Sequence, residues 1–73
     1  MKLVQGTTYK AEVALGFVEA MASNEQVAAK FREVGFTDVT VTGTGKARTA
    51  LGTWPNGTRE VDLPKQVTHA SEA

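Results

Sequence analysis

Apolar and polar residues alternate through the first part of the chain. From Thr7 onward, apolar side chains recur at every second position: Tyr9, Ala11, Val13, Leu15 and Phe17. This period of two is typical of a strand with one buried face, and Gly16 marks a bend where such a strand turns away. The pattern predicts a strand over residues 7–17, preceded by a lead-in over residues 1–6.

A helical period replaces the alternation after residue 23. One apolar stripe recurs at spacings of four and three: Val27, Phe31 and Val34. Ser23 and Gln26 have the spacing of a capping box, and Gly35 stands where a helix commonly ends in a left-handed residue. The sequence therefore predicts a helix over residues 24–34, with Phe31 buried against the strands and against Phe36.

Residues 17–22 fit two interpretations. Phe17 and Met21 also follow a helical period, which allows one long helix from Phe17 to Val34. That helix would place the cap signal of Ser23 in its interior, and the run Gly16-Phe17-Val18 favours extended chain. We favour a short irregular link before the helix, with the long helix as the alternative.

The second half of the chain alternates short strands with tight turns. The predicted segments are a strand over 37–42, a hairpin turn at Gly43-Thr44-Gly45, a returning strand over 47–54, a turn at Pro55-Asn56-Gly57 and a last strand over 58–63. Pro64 stops the last strand because it cannot donate to a ladder. The tail over residues 69–73 is expected to be disordered.

These elements predict an α+β fold in one small domain of 73 residues. A single helix packs on a small, mainly antiparallel sheet, in the order β-α-β-β with a fourth strand following. The two strands that flank the helix are either parallel neighbours or separated by the third strand.

Composition narrows the possible functions. The chain has no cysteine, one histidine and a net charge of zero, and its basic residues are scattered. Disulfides and thiolate metal sites are thereby excluded, and the basic stripe of a nucleic-acid-binding protein is missing. No apolar run could span a membrane and no signal peptide is visible, so we expect a cytoplasmic protein that does not bind a membrane. We also expect no metal, no cofactor and no nucleic-acid partner. A core this small leaves self-association as the remaining source of stability.

Several segments resemble one half of the SPOR (sporulation-related repeat) domain. They are Tyr9-x-Ala11-x-Val13, the alanine-containing helix, the junction Gly35-Phe36-Thr37-Asp38-Val39-Thr40-Val41, and Arg48 leading to Gly52-x-Trp54. The likeness covers about residues 9–54 and stops where that family has its second helix. It implies a module that binds the glycan strands of peptidoglycan on its sheet, with Tyr9, Arg48 and Trp54 as contacts.

Polar side chains show no catalytic pattern. The only two serines are Ser23, which is better used as a helix cap, and Ser71 in the tail beside the only histidine, His69. We therefore expect no enzyme activity. Trp54 has two interpretations: it is exposed as a binding platform if its strand face points away from the helix, or it belongs to the core if that face meets the helix.

Two functions follow as hypotheses. The first is a small interaction or structural module, such as an accessory protein of a phage or bacterial assembly, that self-associates through a strand edge or sheet face. The first strand is the expected edge, with Lys10 and Glu12 pairing across a two-fold axis. The alternative is the glycan-binding module that the SPOR resemblance implies.

Overall fold

The computed structural model describes all residues from Met1 to Ala73. In chain order the elements are β1 (Lys2–Leu3), β2 (Thr8–Ala14), a 3₁₀ turn (Glu19–Met21), α1 (Asn24–Val34), β3 (Thr37–Thr44), β4 (Ala47–Thr53), β5 (Arg59–Glu60) and β6 (Val67–Glu72). Four strands form an antiparallel sheet in the order β3-β4-β2-β6, and β1 pairs with β5 in a separate ribbon. The predicted α+β fold, with one helix on a mainly antiparallel sheet, is confirmed.

Strand β4 lies between the two strands that flank the helix. It pairs antiparallel with β2 from Thr8 opposite Thr53 to Ala14 opposite Ala47, and with β3 on its other side. Of the two arrangements that the sequence allowed, the separated one is therefore correct. A consequence is that β2 is a central strand, and the free edges belong to β3 and β6.

Helix α1 begins and ends as its sequence signals predict. The Ser23 hydroxyl accepts the Gln26 N–H at 3.1 Å, and the Gln26 side chain accepts the Ser23 N–H at 2.8 Å, which completes the capping box. Gly35 has a φ of 128°, and Phe36 donates its N–H to the Phe31 carbonyl at 3.2 Å. The long helix does not form, because Ala22 is extended between the 3₁₀ turn and Ser23.

The core is built around an aromatic cluster of Phe31, Phe36 and Trp54. The ring centroids of Phe31 and Phe36 are 6.1 Å apart, and those of Phe36 and Trp54 are 5.2 Å apart. Gly52 makes room for Phe36, since a Cβ at residue 52 would lie 3.3 Å from the Phe36 side chain. Trp54 is fully buried and donates its indole N–H to the Gly57 carbonyl, so the core interpretation of this residue is correct.

Several predicted boundaries need correction. The hairpin turn predicted at Gly43-Thr44-Gly45 is Gly45-Lys46, because β3 continues to Thr44, and the predicted lead-in over residues 1–6 contains β1. Strand β2 ends at Ala14, before the expected Phe17, and the strand expected over 58–63 is reduced to β5. The tail over 69–73 was expected to be disordered but lies largely in β6, which pairs with β2. Hydrogen bonds along the whole strand hold it there, up to the Ala73 N–H on the Thr8 carbonyl at 3.0 Å.

Candidate interaction surfaces

The three residues expected to contact a glycan are all buried. Tyr9, Arg48 and Trp54 have exposed fractions of 5%, 6% and 0%. The Tyr9 hydroxyl accepts a hydrogen bond from the Val4 N–H of the same chain at 2.8 Å. Because Arg48 and Trp54 lie on the face of β4 that meets the helix, the expected exposed platform is absent.

The expected self-association edge is also wrong. Lys10 and Glu12 are exposed on the outer face of the sheet, but β2 is paired on both sides. Lys10 lies between Leu51 of β4 and Ser71 of β6. The backbone groups of β2 are thus already used inside the monomer.

Arg48 holds the segment between β2 and α1 in place. Its guanidinium donates to the carbonyls of Gly45, Ala20 and Ala22 at 3.0, 3.0 and 2.9 Å, and to the side-chain oxygen of Asn24 at 2.8 Å. A charged group this deeply buried is tolerated because its donors have partners. The contacts fix the backbone of the 3₁₀ turn against the end of the sheet.

Glu19 provides a second brace for the same segment. Its carboxylate accepts the Gly16 N–H at 2.8 Å and the Gln66 side-chain amide at 2.7 Å. The Gly16 hydrogen bond, followed by the one from Gln66, lowers the pKa of the Glu19 carboxyl below its ordinary value of 4.5. The carboxylate is therefore ionised at neutral pH and ties the segment to the start of β6.

These two braces leave three large apolar side chains facing solvent. Phe17, Val18 and Met21 have exposed fractions of 82%, 77% and 85%. The Lys46 ammonium lies 5.8 Å from the centroid of the Phe17 ring. We call Phe17, Val18 and Met21 the apolar tip, since they stand together on one braced turn at the end of the molecule.

An open groove of about 490 Å³ lies beside the apolar tip. It separates α1 from the β2–β6 half of the sheet, because the helix packs mainly on β3. We call it the helix groove; its apolar lining includes Val13, Leu15, Val27, Phe31, Val34 and Val67. Charged side chains at its margin are Glu19, Lys30 and Glu33. Glu19 and Ala22, from the segment that carries the apolar tip, also line the groove, so the groove adjoins that segment.

The two edges of the sheet differ in character. Strand β6 carries His69 and Glu72, follows Pro64, and has an irregular register opposite β2. These are the features by which natural sheets blunt an edge. Strand β3 has no proline or lysine, and its one charged residue, Asp38, lies at the irregular start of the strand. Apart from the Gly43 carbonyl, which accepts a hydrogen bond from the Asn24 side chain, the remainder of β3 is an unprotected edge.

Other kinds of site find little support in the geometry. No group of three or more histidine, cysteine, aspartate or glutamate residues is placed to hold a metal ion. Every buried side-chain nitrogen or oxygen has a hydrogen-bond partner. No helix is long and apolar enough to cross a membrane.

Comparison with protein-family models, with curated proteins and with solved structures gave no match. Functional inference therefore rests on the surfaces described above. Sequence reasoning missed the apolar tip because it assigned Phe17 to a strand and Met21 to a link or helix. One signal was present: Gly16 marks a bend where the strand turns away, so the apolar residues after it need not share the buried face of the strand.

Proposed function

We propose that this protein is a non-enzymatic module that self-associates by pairing the β3 edges of two copies, which extends the sheet from one copy into the next. The observation that carries this proposal is the unprotected edge of β3, Thr37–Thr44. An exposed strand edge presents unpaired N–H and C=O groups, and adding a strand is an efficient way to satisfy them.

The backbone of β3 offers its free groups at alternate residues. The β3–β4 turn has two residues, with Gly45 at a φ of 67°, so Thr44 and Ala47 form the hydrogen-bonded pair that closes it. Alternation then directs the N–H and C=O groups of Val39, Val41 and Gly43 away from β4. The Gly43 carbonyl on that side already accepts a hydrogen bond from the Asn24 side chain at 3.2 Å, so the free groups are those of Val39 and Val41 and the N–H of Gly43.

The sequence of β3 is compatible with antiparallel pairing to itself. With Val41 on the two-fold axis, Thr40 lies opposite Thr42 and Val39 opposite Gly43 of the other copy. Asp38 lies in the irregular start of β3, outside this register, and it is the only charged residue of the strand, so no two like charges are brought opposite each other. The isologous contact closes on itself and buries the edges of both copies.

The double substitution Thr40→Lys/Thr42→Lys tests this proposal. Both side chains are exposed in the monomer, so the variant should fold, but in the dimer each lysine would oppose another. We expect the dissociation constant of the β3 contact to rise at least about tenfold, measured by sedimentation velocity over a wide concentration range.

A matched control places the same charges one strand further inward. Ala47→Lys/Thr49→Lys adds two lysines to the same outer face, on the paired strand β4. This control should associate as the unsubstituted protein does. The β3 proposal fails if the two double variants have the same dissociation constant, or if the unsubstituted protein stays monomeric throughout.

The glycan-binding alternative remains a prediction of the SPOR resemblance. No structural observation favours it, because its three expected contacts are buried. Titration with glycan strands while following Trp54 fluorescence is its direct test.

A further inference from the structure

A second contact surface combines the helix groove, over the β2–β6 half of the sheet, with the apolar tip beside the β3–β4 turn. We propose that the apolar tip of one copy docks into the helix groove of a second copy, and that the two copies exchange tips about a two-fold axis. This inference rests on the proposed function only in taking the chain to self-associate, and it uses no residue of β3.

The apolar tip has the properties of a binding anchor. Monomeric proteins rarely hold several large apolar side chains together in water, and contiguous patches of this kind mark interaction sites. Here Phe17, Val18 and Met21 are exposed by 77–85% although their turn is fixed by Arg48 and Glu19. Because the turn is already ordered, docking it costs little conformational entropy.

The helix groove has the size and lining to receive such an anchor. At about 490 Å³ it lies within the range of pockets that enclose a compact apolar ligand. Val13, Val27 and Phe31 reach it from the core, so filling the groove would enlarge that core. Only Trp54 and Leu3 are large side chains with full burial in one copy, which leaves the domain much to gain.

Charge favours a second copy as the occupant. Lys46 lies against the Phe17 ring and would accompany it to the groove of the other copy. At the margin of that groove the exposed carboxylate is that of Glu33, which pairs with Lys30 at 3.8 Å, because Glu19 lies on the segment of the tip itself and its carboxylate is bonded to Gly16 and Gln66. Lys46 of a docked tip would bring a second cation to Glu33.

The positions of the tip and the groove favour a reciprocal contact. They adjoin, since Glu19 and Ala22 belong to the segment that carries the tip and also line the groove. A self-complementary patch of this kind closes as a two-fold dimer. Combined with pairing at the β3 edge, which uses other residues, it produces an open chain of copies.

Sedimentation velocity on four proteins tests this arrangement. The unsubstituted chain should grow beyond a dimer as its concentration rises, whereas Thr40→Lys/Thr42→Lys should stop at a dimer held by the tips. Adding Phe17→Ser/Met21→Ser to that edge variant should raise its dissociation constant at least about tenfold. The control Val4→Ser/Leu51→Ser, added to the same edge variant, removes two exposed apolar side chains elsewhere and should leave the dimer unchanged.

Failure of this inference is distinct from failure of the proposed function. If the edge variant is monomeric, or if the tip substitutions change nothing, tip exchange is wrong while pairing at β3 can still hold. If the edge variant has the same association behaviour as the unsubstituted chain and the tip substitutions dissociate both, pairing at β3 is wrong and tip exchange stands.

A cross-linking experiment tests the groove itself. The chain has no cysteine, so single thiols can be placed without background. In an oxidised mixture of Met21→Cys and Lys30→Cys copies, the mixed disulfide dimer should form readily, because residue 21 enters a groove lined by residue 30. Met21→Cys mixed with Val4→Cys is the control. Equal yields of mixed dimer from the two mixtures, measured by mass spectrometry, would overturn the inference.

Discussion

The two ends of the four-stranded sheet place an aromatic ring and a cation in opposite ways. At one end Trp54 is fully buried, and the guanidinium of Arg59 lies 5.3 Å from its ring centroid. At the other end Phe17 is 82% exposed beneath Lys46, while the cation Arg48 is buried. The first end follows the usual rule that apolar groups lie inside, and the second reverses it.

This difference indicates that one end of the sheet stabilises the fold and the other end offers a surface for a partner. The Trp54 end buries the aromatic cluster and supplies much of the apolar burial of the fold. At the opposite end the buried Arg48 holds the 3₁₀ turn in place, and the apolar side chains of the apolar tip face solvent. Such an arrangement stabilises a single copy poorly, but it presents rigid apolar groups to a partner.

Truncating the aromatic cluster should have the largest effect. Phe31 is buried in contact with Phe36, as the helical period predicts. Phe31→Ala should lower the free energy of unfolding by about 3–5 kcal/mol, which is enough to unfold most of so small a domain. Thermal or urea unfolding followed by circular dichroism measures it. A melting temperature within a few degrees of the parent would show that the aromatic cluster does not carry stability.

Removing the buried cation of Arg48 should lower the free energy of unfolding by less, and the effect should be local to the opposite end of the sheet. Arg48→Met keeps an unbranched apolar stem but removes the guanidinium, which leaves the carbonyls of Ala20 and Ala22 without their donor. We expect a loss of about 1–3 kcal/mol, together with faster amide hydrogen exchange in the 3₁₀ turn Glu19–Met21. A uniform increase in exchange over the whole chain would contradict a local bracing role.

The smallest effect concerns pH. Because the Gly16 and Gln66 hydrogen bonds lower the pKa of Glu19, its stabilising contribution is complete above its ordinary pKa of 4.5 and is lost as the pH falls through the lowered folded value. Glu19→Gln should flatten that part of the acid dependence of stability. Glu33→Gln, at an exposed helix position, is the control. Parallel acid profiles for the parent and Glu19→Gln would contradict the brace.

Local elements could be predicted from sequence, whereas their assembly could not. The ends of α1 were predicted correctly, because they are set by contacts between neighbours in sequence at Ser23, Gln26 and Gly35. The central position of β2 depends on residues about 40 to 60 positions away, and alternation in one strand does not specify its neighbours. Burial of Tyr9 and Arg48, and exposure of Phe17, follow from that assembly. The β6 strand has few apolar residues, and it gains order by pairing with β2 and by packing Val67 and Ala70 against the core.

Amide hydrogen exchange across β3 is the most direct measurement of self-association at the edge. The N–H groups of Val39, Val41 and Gly43 face the free side, so they should become protected as protein concentration rises. The amide of Ala50, on the paired strand β4, serves as the internal reference. Protection of the three edge amides that grows with concentration, and that is abolished by Thr40→Lys/Thr42→Lys, is the predicted result. Exchange at these amides that is independent of concentration in the associated protein would contradict pairing through β3.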